Sequence, residues 1–238
     1  MKKHEGSLPG IITASLIALV SYTGLSQDLS YEIHGRYKRP VLKEKLTTAE
    51  TLSDLVNGYP SSWIRVNDYI STEITATNHG MVNKAMSVNE TLSPEQKDLL
   101  ATADLGTDVI LEVAYRYKNS AIDQIDVRNM LVTQTVVPEM EAQYIGGKEQ
   151  LKEYLKKNAI DKISEADTKA MKPVLVRFTI DENGEVINTE MHMSSEIDKV
   201  DKLMLKTIQK MPKWKPAQTS NGTLVKQDFE FSVGVPGC

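Results

Sequence analysis

The chain has 238 residues and a formal net charge of −4. This length allows one large domain or two small ones that each bury a hydrophobic core, and we expect two small domains. The net negative charge offers no general attraction for nucleic acid, so nucleic-acid binding is not expected. The only cysteine is Cys238, which excludes an internal disulfide and leaves no cysteine pair for a metal site.

The N-terminal residues resemble an export signal. Lys2 and Lys3 precede an uncharged, mostly apolar stretch over residues 11–25, and Gly24-Leu25-Ser26 has the small-x-small pattern of a cleavage site. We therefore predict a signal peptide over residues 1–26. The alternatives are an uncleaved membrane anchor, although a spanning helix needs roughly 20 apolar residues, and a buried core helix. Both the signal peptide and the membrane anchor would place the rest of the chain outside the cytoplasm.

Two different patterns follow the signal peptide. Residues 27–60 show no apolar period and are predicted to be a flexible lead-in, with one short helix over residues 48–56. Apolar residues at even spacing from Ile64 to Ala76 predict strands, and Asn78-His79-Gly80 predicts a turn. Two more strands are predicted over residues 109–117 and 126–137.

One helix is predicted inside this strand-rich region. In "LSPEQKDLLATADLG", Ser93 can cap the helix, Pro94 suits its first position, Gln96 lies three residues after the cap and Gly106 follows its end. Residues 61–138 are therefore expected to form a mainly β, sandwich-like domain. Its aromatic residues are predicted to lie in the core rather than to line a ligand patch; they are Trp63, Tyr115 and Tyr117.

The remaining chain predicts a second domain of two layers. Gly146-Gly147 precedes an amphipathic helix with Leu151, Tyr154 and Leu155 on one face. A hairpin follows, with its turn at Asp181-Glu182-Asn183-Gly184. The next helix is predicted over residues 196–211, capped by Ser194 or Ser195 and ended by Pro212. With the last strand this gives an α+β fold in the order helix, β-hairpin, helix, β-strand.

The last strand alternates between apolar and charged residues. Val225, Gln227, Phe229, Phe231 and Val233 point to one side, which is typical of an antiparallel strand with one wet face. If this strand lies at the sheet edge, its unpaired backbone groups can accept an added strand. The predicted partner-binding residues are Leu224, Val225, Lys226, Gln227, Asp228, Phe229, Glu230, Phe231, Ser232 and Val233.

Residues 142–238 resemble the C-terminal domain of the energy transducer TonB in its Bacteroidetes-like form. The resemblance rests on Gly146-Gly147, on "VLVRFTIDENGEVINTEMHMSS" and on "DKLMLKTIQKMPKWKPAQTSNGTLVKQDFEFSVG". It implies a periplasmic domain that binds an outer-membrane TonB-dependent receptor, or another envelope protein, by strand addition, without a cofactor. The residues that carry the motif are Gly146, Gly147, Gly184, Pro212, Trp214 and Pro216.

The sequence departs from that family in its N-terminal half. The apolar segment contains no histidine and no long Pro-rich spacer follows it, so we expect a soluble periplasmic protein that supports TonB-dependent transport through partner binding; an inner-membrane anchor is the alternative. The stretch "LSPEQKDLLATADLGTDVILEVAY" resembles β-rich periplasmic modules of gliding and secretion-motor subunits. A structural component of an envelope or secretion complex, or a second copy paired at the edge strand, is therefore the alternative function.

No catalytic site is expected. The four histidines lie in separate segments, and the sequence contains no phosphate-binding loop and no hydrolase or metalloprotease motif. Trp214 is expected to pack across the seam between helix and sheet, with its N–H directed to a carbonyl or water. Direct contact with a receptor is the alternative role for this residue.

Overall fold

The computed structural model describes residues 29–56, 66–119 and 124–234. The predicted signal peptide and Trp63 lie outside the described residues. Among the described residues, no helix has the length and apolar character needed to cross a membrane.

The described chain is a mixed α and β structure, as the sequence predicted. Its strands are β1 (Ser30–Gly35), β2 (Pro40–Leu42), β3 (Val66–Asn78), β4 (Met81–Ser87), β5 (Asp108–Asn119), β6 (Gln124–Val137), β7 (Gln143–Tyr144), β8 (Val174–Ile180), β9 (Val186–Met193), β10 (Trp214–Lys215), β11 (Ala217–Gln218), β12 (Leu224–Val225) and β13 (Gln227–Gly234). Its helices are α1 (Lys43–Thr48), α2 (Leu52–Leu55), α3 (Pro94–Thr102), α4 (Gly147–Asn158), α5 (Glu165–Ala170) and α6 (Asp198–Gln209), with a 3-10 turn at Ile160–Lys162.

The N-terminal domain contains one five-stranded sheet in the order β2-β6-β5-β3-β4. All neighbours are antiparallel except β2, which runs parallel to β6. Alternate residues such as Ile74, Leu111 and Val132 are buried on one face, and Tyr115 and Tyr117 join the same core as predicted. The three central strands are long, and the register between β3 and β5 shifts twice, between Val66 and Asp68 and between Tyr69 and Ser71.

The predicted sandwich is wrong, because helices occupy the position of a second sheet. Leu46 of α1, Leu52 and Leu55 of α2, and Leu100 of α3 are buried against the inner face of the sheet. Three of these residues come from the segment predicted to be a flexible lead-in. Its apolar residues are too few to show a period, yet they are sufficient to cover this face.

Helix α3 begins as the sequence predicted. The Ser93 hydroxyl accepts a hydrogen bond from the backbone N–H of Gln96 at 3.2 Å, and the Gln96 side chain accepts one from the backbone N–H of Ser93 at 3.0 Å. The amide of Gln96 is fully buried and also donates to the backbone oxygen of Thr72 at 3.0 Å. A capping residue thus also attaches the helix to β3.

The C-terminal domain contains a four-stranded antiparallel sheet in the order β1-β13-β8-β9. Leu155 of α4 and Val200, Met204 and Ile208 of α6 are buried in the same core as the inward residues of β8 and β13. The order helix, hairpin, helix, strand is therefore observed in residues 147–234, with α5 and the short strand pairs added between these elements.

The path of the chain corrects the predicted domain boundaries. Strand β1 belongs to the C-terminal sheet, whereas the chain from Val41 to Val136 packs in the N-terminal core before it returns at Ala142. The N-terminal domain is therefore inserted between β1 and the rest of the C-terminal domain. A flexible lead-in over residues 27–60 is wrong for the described part of that segment, which forms β1, β2, α1 and α2.

The start of α6 also differs from the prediction. Ile197 is the N-cap residue and makes no side-chain cap, while Ser194 and Ser195 instead donate to the carboxylate of Asp201 at 2.5 and 2.6 Å. Partial burial alone would raise the pKa of Asp201, but these hydrogen bonds outweigh it and hold the pKa below its ordinary value. The serines therefore order the loop before the helix rather than its first turn.

We expect Leu52→Ala to destabilise the N-terminal domain by about 2 to 5 kcal/mol, because it leaves a cavity at a fully buried position. The control is Leu42→Ala, at a side chain that is 46% exposed, with an expected change of about 0.5 kcal/mol. Urea unfolding followed by circular dichroism measures both values. Equal midpoints for the two variants would show that α2 is not part of the core.

Candidate strand-binding site at β13

Strand β13 lies inside its sheet, so the expectation of an edge strand is wrong. Its residues pair with β8 from Gln227 to Val233, and the opposite side of the strand pairs with β1 from Phe229 to Gly234. The pattern of alternation was correct, since Phe229, Phe231 and Val233 are buried. Alternation of apolar and polar residues predicts that one face of the strand is exposed to solvent. It does not predict whether the strand has one neighbouring strand or two.

The predicted docking segment is also divided. Leu224 and Val225 form β12, which pairs with β11 at Gln218 and Ala217, and β13 starts only after Lys226. The edge that β1 covers is therefore shorter than residues 224–233. Of the predicted partner-binding residues, those from Phe229 to Val233 face β1 directly.

The core side of the β1–β13 pair is apolar. Tyr31 lies opposite Val233 and Ile33 lies opposite Phe231, and both β1 side chains pack against the C-terminal core while staying partly exposed. Gly35 lies opposite Phe229. On this side, the β1–β13 contact is therefore stabilised by the burial of apolar side chains.

The other side of the pair is polar and forms two rows across three strands. In the first row, Arg177 Nε of β8 lies 2.9 Å from Glu230 Oε1, and His34 Nε2 of β1 lies 3.8 Å from Glu230 Oε2. In the second row, the Thr179 hydroxyl donates to Asp228 Oδ1 at 2.7 Å, and Arg36 Nη2 donates to Asp228 Oδ2 at 2.6 Å. Each carboxylate of β13 thus has a histidine or an arginine beside it from the β1 segment: His34 of β1 at Glu230, and Arg36, directly after β1, at Asp228.

The chain crosses to the N-terminal domain directly after β1. The backbone N–H of Arg36 donates to Asp228 O at 2.9 Å, and the backbone N–H of Lys38 donates to the Thr135 hydroxyl at 3.0 Å. An open cleft of about 440 Å³ lies at this crossing and is lined by groups of both domains, among them Asp108, Arg177 and Glu230. The polar end of the β1–β13 pair is therefore accessible from solvent.

Trp214 lies beneath β13 and fixes its position. Its side chain is 4% exposed, and its ring is 5.2 Å from Phe229, 5.7 Å from Tyr144 and 6.3 Å from Phe178 between centroids. Of the two predicted acceptors for its N–H, a carbonyl or a water, the carbonyl is wrong for the described residues, where no protein group accepts a hydrogen bond from Nε1. The reason is that its surroundings are aromatic. A buried Trp214 is not available for direct receptor contact in this conformation.

The other residues of the predicted motif support this cluster. Trp214 and Lys215 pair with Tyr144 and Gln143, so β10 holds the indole against the segment that leads into α4. Gly146 is the residue before α4, Gly147 is its first residue, and Pro212 and Pro216 lie on either side of β10. Pro212 and Pro216 are thus near Trp214 along the chain, and none of these four residues pairs with β1.

Gly184 makes a contact that the sequence did not predict. Its backbone oxygen accepts a hydrogen bond from the backbone N–H of Trp214 at 2.8 Å, and its φ is +77°. A Cβ at this position would collide with the backbone oxygen of Trp214. The hairpin turn is therefore pressed against β10, which explains why a glycine is needed at the end of the turn.

Strand β1 is the neighbour of β13 that sequence reasoning missed. Its residues Tyr31, Glu32, Ile33 and His34 do alternate, but over only one strand length beside a run of charged residues. An alternating stretch of this length has little statistical weight. A search for a short strand that complements the charges of Asp228 and Glu230 could have found it.

Comparisons with protein-family models, with curated proteins and with solved structures find no match for this chain. Within residues 29–56, 66–119 and 124–234, no group of three or more histidine, cysteine, aspartate or glutamate side chains could hold a metal ion.

We expect Gly184→Ala to destabilise the C-terminal domain by more than about 3 kcal/mol, since it adds a backbone collision to an unfavourable positive φ. Gly222→Ala is the matched control, because Gly222 also has a positive φ but open space around its Cβ position, and it should cost about 1 to 2 kcal/mol. Tryptophan fluorescence during urea unfolding, in a Trp63→Phe background, compares the two. Similar losses would contradict the close contact with Trp214.

Proposed function

We propose that this chain is an exported TonB-like protein that binds an extended segment of an envelope partner by β-strand addition, most simply the TonB box of an outer-membrane receptor. The observation that carries the proposal is the pairing of β1 with β13. Along the chain, the whole N-terminal domain separates β1 from the other strands of this sheet. An edge that accepts such a strand has the geometry needed to accept a strand of another protein.

Three features support this proposal over catalysis. The β13 edge presents backbone groups, apolar positions and two carboxylates in a regular order, as strand recognition requires. The aromatic cluster around Trp214 supports the strand from below and gives it a fixed position. The cleft beside it is open, and the charged groups Arg177 and Glu230 that reach it already pair with each other.

Titration with TonB-box peptides tests the proposal. We expect the amide resonances of Phe229 and Phe231 to shift and the amides of β1 to lose protection from hydrogen exchange, because the peptide takes the place of β1. A variant with weakened β1 anchoring, Tyr31→Ser with Ile33→Ser, should bind the same peptides more tightly. Unchanged spectra at millimolar peptide in both proteins would rule out the proposal.

We propose as a second candidate that the chain is a structural component of an envelope complex. The solvent face of the five-stranded sheet favours this function, because Met86 and Leu131 are 63% and 64% exposed and flank the adjacent carboxylates of Glu73 and Glu112 in one cross-strand row. Exposed apolar residues on one face are typical of an interaction surface.

The second candidate predicts association through that face. Light scattering of the unaltered chain should give a mass above that of a monomer, and Met86→Lys with Leu131→Lys should return it to the monomer mass. A monomer at high concentration that co-purifies with no envelope complex would count against this candidate.

A further inference from the structure

Strand β1 is held less firmly than the other neighbour of β13. Strand β8 buries Val176 and Phe178 completely or nearly so, whereas Tyr31 and Ile33 of β1 remain partly exposed. Strand β1 is also the outer strand of the sheet, and its other side has no strand neighbour among the described residues. Detaching β1 therefore exposes Leu29 and the partly buried Tyr31 and Ile33 and leaves the buried residues of β8 in place.

The junction after β1 allows it to detach alone. Strand β2 pairs with β6 in the N-terminal sheet only two residues after the Lys38–Thr135 hydrogen bond. Arg39, between them, has a φ of +42°, a conformation that is unfavourable for a residue with a side chain. Residues 29–36 can thus leave β13, with exposure of the buried Leu29, while Lys38 stays bonded to Thr135 and Pro40–Leu42 stays in place.

We propose that the β13 edge is a charge-selective strand acceptor and that β1 is its resident occupant, which a partner strand with a basic residue opposite Asp228 replaces. This proposal rests on the proposed function and adds the chemistry of the partner and the competition that controls its entry. The selected strand is antiparallel to β13 and carries the same pattern as "YEIHGR".

The polar face explains the requirement for a basic residue. Arg177 of β8 compensates the charge of Glu230, but β8 offers Asp228 only the neutral hydroxyl of Thr179. The missing positive charge comes from Arg36. A strand with an acidic residue at that position would place two carboxylates together, which is unfavourable across a strand pair.

The core face explains the remaining pattern. Apolar residues are required opposite Val233 and Phe231, where Tyr31 and Ile33 now pack. In the resident strand a small residue stands opposite Phe229, because the ring of Tyr37, in the same segment, lies over Gly35. Since Tyr37 belongs to the β1 segment and not to β13, the pattern that β13 itself requires is apolar, any, apolar, polar, any, basic.

A peptide that binds in trans tests the proposal. The probe is a labelled peptide with the sequence of residues 29–38, LSYEIHGRYK, and the proteins are the full unaltered chain and the full chain with Tyr31→Ser and Ile33→Ser. We expect saturable binding to the variant and at least about ten-fold weaker binding to the unaltered chain, because its own β1 competes at an effective concentration on the order of millimolar.

A charge exchange tests the selectivity. Aspartate in place of the arginine in the peptide, or Asp228→Arg in the protein, should each weaken binding about three- to five-fold, and the two changes together should restore it. If the peptide affinity is the same for all four combinations of peptide and protein, the proposed charge selectivity is wrong. If the peptide does not bind to the folded variant, the proposal that another strand can replace β1 is wrong.

A second measurement does not depend on the folding of the double serine variant. Hydrogen exchange of the β1 amides in the full chain should become about three- to five-fold faster with Arg36→Asp and with Asp228→Arg, and return towards the unaltered rate when both are combined. Lys152→Asp on the exposed side of α4 is the control with the same charge change, since Lys152 makes no ion pair within the described residues and lies outside the junction after β1. Identical β1 rates in all variants would contradict the proposal.

The two proposals can fail separately. If LSYEIHGRYK binds with the expected charge dependence while TonB-box peptides do not bind, the strand acceptor stands and the receptor assignment is wrong. If TonB-box peptides bind without releasing β1 and without dependence on Asp228, the receptor assignment stands and the inference is wrong.

Discussion

The antiparallel pairing of β1 with β13 is the contact on which the arrangement of the whole chain depends. It returns the first described strand to the C-terminal sheet, so that the N-terminal domain is an insertion with two crossings to its neighbour. The carboxylate of Glu139 strengthens the second crossing by accepting hydrogen bonds from the backbone N–H groups of Glu44 and Ser220. Two short crossings restrict the domains more than a single linker does.

The two faces of β13 contribute different properties to this contact. On the core side, the ring of Phe229 stacks at 5.6 Å on Phe178 and lies 5.2 Å from Trp214, so the strand is held in place whether or not β1 is present. On the polar side, the carboxylates of Asp228 and Glu230 are the groups that would distinguish one added strand from another in the proposed exchange. A rigid support with a selective surface lowers the ordering cost of binding, because only the incoming strand has to become ordered.

Local patterns predicted the local elements, and long-range neighbours were not predictable from them. The cap at Ser93, the hairpin turn at Gly184 and the alternation of β13 each depend on residues that are close in sequence, and each was found. The partner of Asp228 is Arg36, 192 positions away, and the side chain that packs on Trp214 is likewise set by the tertiary fold. The short helix predicted over residues 48–56 contains α2, and α3 was predicted from its cap, but α1 was not predicted because six residues are too few to show a period. That these helices take the place of a second sheet depends on long-range packing.

Charge on β13 also indicates how its edge is used. Asp228 and Glu230 project from the same face two residues apart, and only Glu230 has a basic neighbour on β8. Without β1, the carboxylate of Asp228 would lose Arg36 and lie on the same face as Glu230, close to an edge of open backbone groups. A bare edge is thus unfavourable both in hydrogen bonding and in charge. It follows that the occupied state is the stable one, and that the partner strand we propose would have to replace β1 rather than meet an open edge.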